Sequence, residues 1–288
     1  MRDIRSYLDT AAQHLFREKH VQEALSMRQN SPMEVAAVRF FQALLIWSDI
    51  LVCSAQKTVP PAAEDYRRLL NGQGGWNGII DDQGPQFAMQ TVTGCHNWVL
   101  GTIMDTVVLS IWKRDEELHG RLEIQELVKR TGQIESTVHH HHRQYTQSQD
   151  NIHKTTHTSP ETNIFAHAIL VELRALVAGP KAYDAEIQEN IRNAITAWKC
   201  LPPSTSFQSL AWPYCVTASL ATESQRDFFR KIVTEISPLD PLIGHFHDLR
   251  SVMEKCWAEA DRGEKLGHEG RYDWKDFIQD GNMRSFFA

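Results

Sequence analysis

The 288 residues carry 42% apolar and 23% charged side chains, a balance that fits a globular chain with one sizeable core. Thirty Lys and Arg against 36 Asp and Glu leave a net charge of −6 and a pI near 6.2. Nonspecific DNA affinity depends on neutralising phosphates with Lys and Arg, so the chain by itself is not expected to grip DNA.

Along the chain, helix punctuation is frequent and long alternating strand-like runs are rare. Ser31-Pro32-Met33-Glu34 predicts a helix start, with a capping serine, a first-turn proline and Glu34 placed to close a capping box. The segment it opens holds Phe40 to Cys53 (FFQALLIWSDILVC). Val35 to Cys53 is nearly long enough to span a membrane, but Arg39, Gln42 and Asp49 would be costly in lipid. A central helix buried on all sides is expected instead, with no membrane partner. Gly72 to Pro85 is a glycine-rich loop without the GxGxxG or GxxxxGK order, so no phosphate cradle is predicted. Its Asp81-Asp82 pair lacks the third carboxylate of an aspartate-rich metal motif.

Thr93 to Lys113 (TGCHNWVLGTIMDTVVLSIWK) is the second aromatic, apolar stretch. Leu122, Leu127, Val128, Ile134 and Val138 then recur at helical spacing. His139 to Thr158 is a low-complexity tract with six of the fourteen histidines. Such a tract can bind metal, but a solvated linker between two helical halves is the expectation. Ser159-Pro160-Glu161 caps the next helix, and Gly179-Pro180 stops it after Ala178. Ser209 to Ala221 (SLAWPYCVTASLA) is the third aromatic stretch, followed by a capping box from Thr222 to Gln225 and a cap-proline pair at Ser237-Pro238. These marks predict an all-α chain of about ten to twelve helices forming a single compact domain over residues 1–288.

The five cysteines, Cys53, Cys95, Cys200, Cys215 and Cys256, form no CxxC or CxxH pair, so no zinc module is expected among them. Their odd number, with no signal peptide, points to a reducing intracellular compartment. Asp49 and Asp105 are carboxylates within apolar helices. Each is expected to find a partner such as Arg39, Lys113 or Arg226, or to anchor a ligand. Arg226, after the Thr222 cap, reads as a bridge between two helices or an anion anchor. Cys95 and His96 at a helix start could form a low-pKa thiolate, though packing against Trp98 explains Cys95 as well. Trp47, Trp98, Trp112, Trp212 and Trp257 fall on apolar faces and are expected in the core, each indole N–H needing an acceptor. Trp47, Asp49, Cys95, Trp98, Asp105, Trp212, Cys215 and Arg226 together make the candidate effector pocket. No catalytic grouping, cofactor motif or metal cluster is legible.

The order of several short motifs resembles the C-terminal regulatory domain of fungal-specific zinc-cluster transcription factors, from about Pro32 to Trp274. They are the helix holding Trp47 and Asp49, Asp65-Tyr66-Arg67-Arg68-Leu69-Leu70, and Thr93-Gly94-Cys95-His96-Asn97-Trp98. Leu127-Val128-Lys129-Arg130 with Ile134-Glu135, Ala211-Trp212-Pro213-Tyr214-Cys215, and Gln225-Arg226-Asp227 follow. Met253-Glu254 to Trp257 and Asp273-Trp274 complete the set. The resemblance implies a helical control domain that holds a small effector or partner and gates transcriptional activation. It implies a nuclear location in a complete regulator, and DNA contact only through a six-cysteine module upstream, which these residues do not include. A homodimer is a further expectation, though no feature sets its interface. The C-terminal Phe286 and Phe287 are read as packing on the core rather than docking a partner. The competing expectation is a stand-alone enzyme or small-molecule-binding protein of a biosynthetic gene cluster, built on the same scaffold.

Overall fold

The computed structural model describes residues 32–71, 89–147, 159–202, 205, 207–236, 246–265 and 273–278. In chain order the helices are α1 (Pro32–Ala55), α2 (Ala63–Leu70), α3 (Gln90–Thr93), α4 (Asn97–Leu118), α5 (Ile124–Gln147) and α6 (Pro160–Ala178). Then come α7 (Ala185–Trp198), a 3-10 turn (Phe207–Leu210), α8 (Ala211–Ser219), α9 (Glu223–Ile236), α10 (Phe246–Lys265) and α11 (Trp274–Ile278). No strand occurs among the described residues, and none of the described helices is long and apolar enough to cross a membrane.

The central helix is α6. Ile164, Phe165, Ala166, Ala168, Ile169, Leu170, Val171 and Leu173 are all buried, and α4, α5, α7 and α8 pack around it. A helix apolar on nearly every side has to be enclosed in this way. Its ends follow from the sequence. Ser159 Oγ accepts from the Thr162 backbone N–H at 3.1 Å, Pro160 occupies the first turn, and Gly179 at φ +86° ends the helix. Asp184 then caps α7 by accepting from the N–H groups of Glu186 and Ile187, while Arg174 of α6 grips the same carboxylate from the side. The α6–α7 hairpin is thereby fixed at its turn.

Two expectations are corrected here. In α1 the turns from Gln42 to Ala55 are enclosed, but Phe40 and Phe41 are 46% and 59% exposed. The histidine run is also no linker at its start. His139 to Gln147 are the closing turns of α5, because the helical period of Leu127, Ile134 and Val138 continues through them. The rest of that tract lies outside the described residues. So do Ser31, the glycine loop with Asp81 and Asp82, Ser237-Pro238 and the C-terminal phenylalanines.

The motif from Thr93 to Trp98 has a plain structural meaning. Gly94 ends α3 at φ +76°, a left-handed conformation that side chains disfavour, and its carbonyl accepts from Ser159 Oγ at 2.7 Å. Asn97 Oδ1 accepts from the Met89 N–H at 2.8 Å, and Asn97 Nδ2 donates to the Leu70 carbonyl at 3.3 Å. One short turn thus joins α2, α3, α4 and α6. Likewise Tyr66 donates to Asp49 at 2.8 Å and Arg67 donates to Asp105 at 2.8 Å, locking α2 onto α1 and α4.

Candidate effector crevice

The crevice is built by the turn after α1, the second half of α4, the start of α5, the end of α6, α8 and α11. It has a volume of about 590 Å3. Ile111, Leu122, Ile124, Leu127 and Leu176 line it together with Lys113, Arg114, Glu117 and Lys181, and Lys57, Glu172, Asp273, Lys275 and Asp276 form a charged end joined by ion pairs.

At the charged end each group is held by a specific local structure. The chain leaves α1 through Lys57 in a left-handed conformation, φ +56°, with the Thr58 N–H returning to the Cys53 carbonyl at 2.9 Å. A non-glycine residue there costs about 1–2 kcal/mol. The turn sends Lys57 Nζ to Asp276 at 2.6 Å and Asp273 at 3.0 Å. Asp273 also caps α11, accepting from the Lys275 N–H at 3.1 Å. Lys275 is only 5% exposed, and its ammonium pairs with Glu172 of α6. Burial opposes the charge on Lys275, but the Glu172 and Asp273 carboxylates more than offset it and hold its pKa above the ordinary value. Burial pushes Asp273 up, and Lys275 and Lys57 overcome this to hold it below the usual carboxylate range. A five-residue helix is therefore seated by alternating charges, with Trp274 and Ile278 buried beside them. At the far wall, Lys113 Nζ donates to the Leu176 carbonyl at 2.8 Å, where the unpaired carbonyls of a helix end attract a cation.

The arrangement offers an apolar bed beside a charged wall. The charges of Lys57, Glu172, Asp273, Lys275 and Asp276 are paired within the protein, and the apolar lining beside them suits the crevice to binding. No three His, Cys, Asp or Glu side chains among the described residues are arranged to hold a metal ion.

The residues singled out from sequence are placed elsewhere in the fold. Trp47 meets Phe165 edge to face at 5.4 Å between centroids, Phe165 stacks on Trp212 at 5.9 Å, and Trp212 donates to Ser54 Oγ at 2.9 Å. Asp49, buried nearby, accepts from Tyr66 and from the Cys53 thiol. Asp105 is not a core carboxylate: its side chain is 47% exposed, and it pairs with Arg67 rather than with Arg39, Lys113 or Arg226. It borders a separate groove of about 300 Å3 between α4 and α5, where Arg130 lies 4.1 Å over Trp112. Arg226 binds both oxygens of Asp261, at 2.8 and 2.7 Å, and lies over Trp257, so its fork is committed to joining α9 and α10. Trp257 donates to the Ala218 carbonyl at 2.7 Å. The buried Trp98 Nε1 has no hydrogen-bond partner among the described residues, while its ring stacks on His141 at 5.3 Å. Burial pushes the Cys95 and Cys215 thiols well above their ordinary range, so Cys95 is no thiolate. None of Trp47, Asp49, Cys95, Trp98, Asp105, Trp212, Cys215 and Arg226 borders the crevice.

Sequence reasoning passed over Lys57, Glu172, Asp273 and Lys275 as site residues. Glu172 carried the same signal as Asp49, a carboxylate inside an apolar helix (Leu170-Val171-Glu172-Leu173). Lys57 and Lys275 had no such signal, since their partners lie far off in the chain.

A family model described as "Fungal specific transcription factor domain" matches residues 1–288. The ustiloxin B cluster transcription factor ustR of Aspergillus flavus is 36% identical over 88% of this chain and 43% of its own length. The transcription factor phomR of Diaporthe leptostromiformis is 33% identical over 100% of this chain and 50% of its own. A trichothecene biosynthesis transcription regulator of Fusarium sporotrichioides is 29% identical over 85% of this chain and 53% of its own. The chain therefore spans about half the length of the curated relatives it matches. No solved structure matches it.

Proposed function

Since this chain belongs to the fungal specific transcription factor domain family, we propose that it is the control domain of a nuclear regulator of a biosynthetic gene cluster. In this reading the crevice takes a small, largely apolar effector, and occupancy sets how firmly α11 is seated. DNA contact belongs to another part of such a regulator, in keeping with the net charge of −6. The names of the relatives support the regulatory and gene-cluster part of the reading; the comparisons give no support to the enzyme alternative.

The observation that carries the effector part is the crevice itself, a space of about 590 Å3 walled by a five-residue helix whose hold is partly ionic. A ligand that binds one seating of α11 better than the other shifts the population between them. The test is a thermal-shift screen of small metabolites on the wild type and on Ala178→Trp, which puts a bulky side chain into the crevice lining. At about a hundred times its Kd, a compound that binds the native state adds about 2.7 kcal/mol, several degrees in Tm, to the wild type. The variant should gain little. Equal stabilisation of both proteins, or of neither, removes the crevice from the account.

A further inference from the structure

The histidine run at the end of α5 takes no part in the crevice. His139 and His142 stand one turn apart on α5, and with His167 of α6 they border a second cavity, of about 240 Å3. Glu186, Glu189, Asn190 and Asn193 of α7 close its other side. His142 Nε2 lies 3.0 Å from Asn163 Oδ1, and His167 Nδ1 lies 3.0 Å from Asn190 Oδ1. An amide oxygen only accepts, so those nitrogens carry the hydrogens and one proton per ring satisfies both bonds. The two imidazoles meet edge to face, 5.8 Å between centroids. Beside them His141 stacks on Trp98 at the first turn of α4.

We propose that neutral His167 of α6, meeting His142 of α5 edge to face, latches the closing turns of α5, and that a positive charge placed on His167 in mildly acidic conditions releases them. A second proton on His167 leaves its bond to Asn190 as it is. It places a positive charge in a buried position beside His142 and His139 of α5. The acidic groups facing this cluster are Glu135 of α5 and Glu186 and Glu189 of α7. Glu186 is engaged by Arg174 at 3.3 Å, and Glu135 also faces Arg174. Glu189 acts on His167 more weakly than burial and the neighbouring histidines do. Burial first, then His142 and His139, lower the His167 pKa below its ordinary 6.5, against the pull of Asn190 and Glu189. Burial and His140 lower that of His141 in the same way. A depressed histidine supports the fold fully above its unfolded pKa, and that support fades as pH falls through the acidic range. The latch stands whether or not the crevice is occupied.

Hydrogen exchange on the whole chain, corrected for intrinsic rates, tests it at about pH 7.5 and about pH 5.5. At the lower pH, the amides of residues 139–147 should lose protection about tenfold or more relative to those of α8. His167→Gln and His142→Gln keep an amide donor without a titrating ring and should flatten that response. Unchanged protection of the wild type at low pH overturns the proposal, as does an undiminished response in both variants. Should the variants fail to fold, ring titration of the wild type by NMR decides. A His167 signal midpoint below 6.5 supports the latch, and one at or above it refutes the latch.

Discussion

Replacing Glu172 by Gln removes the negative charge that Lys275 meets in the core of the α11 seat. Lys275 is 5% exposed, and the Glu172 side chain is 13% exposed, so little water is at hand to take over. Breaking a buried pair from one side costs about 3–5 kcal/mol, and Asp273 remains beside Lys275, so about 3 kcal/mol is expected. Undocking α11 forfeits the burial of Trp274 and Ile278, worth about 3–6 kcal/mol for the two. The variant therefore brings the docked and undocked states of α11 close to balance while the rest of the bundle holds. Exchange of the α11 amides should accelerate about a hundredfold, the equivalent of about 3 kcal/mol, with α6 and α8 little changed. If the unfolding of the whole chain is coupled to α11, the same loss appears as a Tm lower by about 6–12 °C. The double change Glu172→Leu with Lys275→Met replaces the pair by apolar groups and should return to within about 1 kcal/mol of the wild type. Acceleration below about threefold in Glu172→Gln would refute the electrostatic account of the seat. So would a double variant as loose as the single.

The pH response of the two regions should differ in sign and window. Lys275 is raised above 10.5, so its contribution is complete below that value and is lost only as pH rises through the folded pKa. Asp273 is lowered below 3.8, so its contribution is present above that value and lost as pH falls through the folded pKa. Protection of α11 should thus stay flat from about pH 5 to about pH 9, where the end of α5 does not. Trp212→Phe removes the donor to Ser54 and leaves a void beside Phe165, and denaturant unfolding should show a loss of about 2–4 kcal/mol. Arg226→Lys keeps the charge but neither the two-pronged contact with Asp261 nor the stacking on Trp257; because Asp261 is partly exposed, about 1 kcal/mol is expected by the same measurement.

The helical class was legible because its signals are local. Ser159 and Pro160 open α6 and Gly179 closes it where their chemistry says they should. Half of the Thr222–Gln225 box forms as read, with Gln225 Oε1 accepting from the Thr222 N–H at 2.9 Å. Trp212 and Trp257 are buried with their indole N–H groups bonded, again from local pattern alone. Asp105 misled because a carboxylate between apolar neighbours can still point outward when those neighbours occupy the other faces of its helix. Arg67, on a separate helix, decides its environment. The histidine run misled for a different reason: low complexity suggested solvent, whereas the closing turns of α5 bring His141 to Trp98 and His142 to Asn163. The crevice was the least legible feature. Its charged wall joins Lys57 to Asp276 and Glu172 to Lys275, pairs far apart in the chain that carry no common period or spacing.

The most direct test of the control-domain reading is a crystal structure of the chain with whichever compound raises its Tm most. The account predicts that the compound lies between α4, α6, α8 and α11, its apolar part against Leu122, Leu127 and Leu176. A compound seated instead among Trp47, Asp49 and Trp212, with the crevice unchanged, would contradict it.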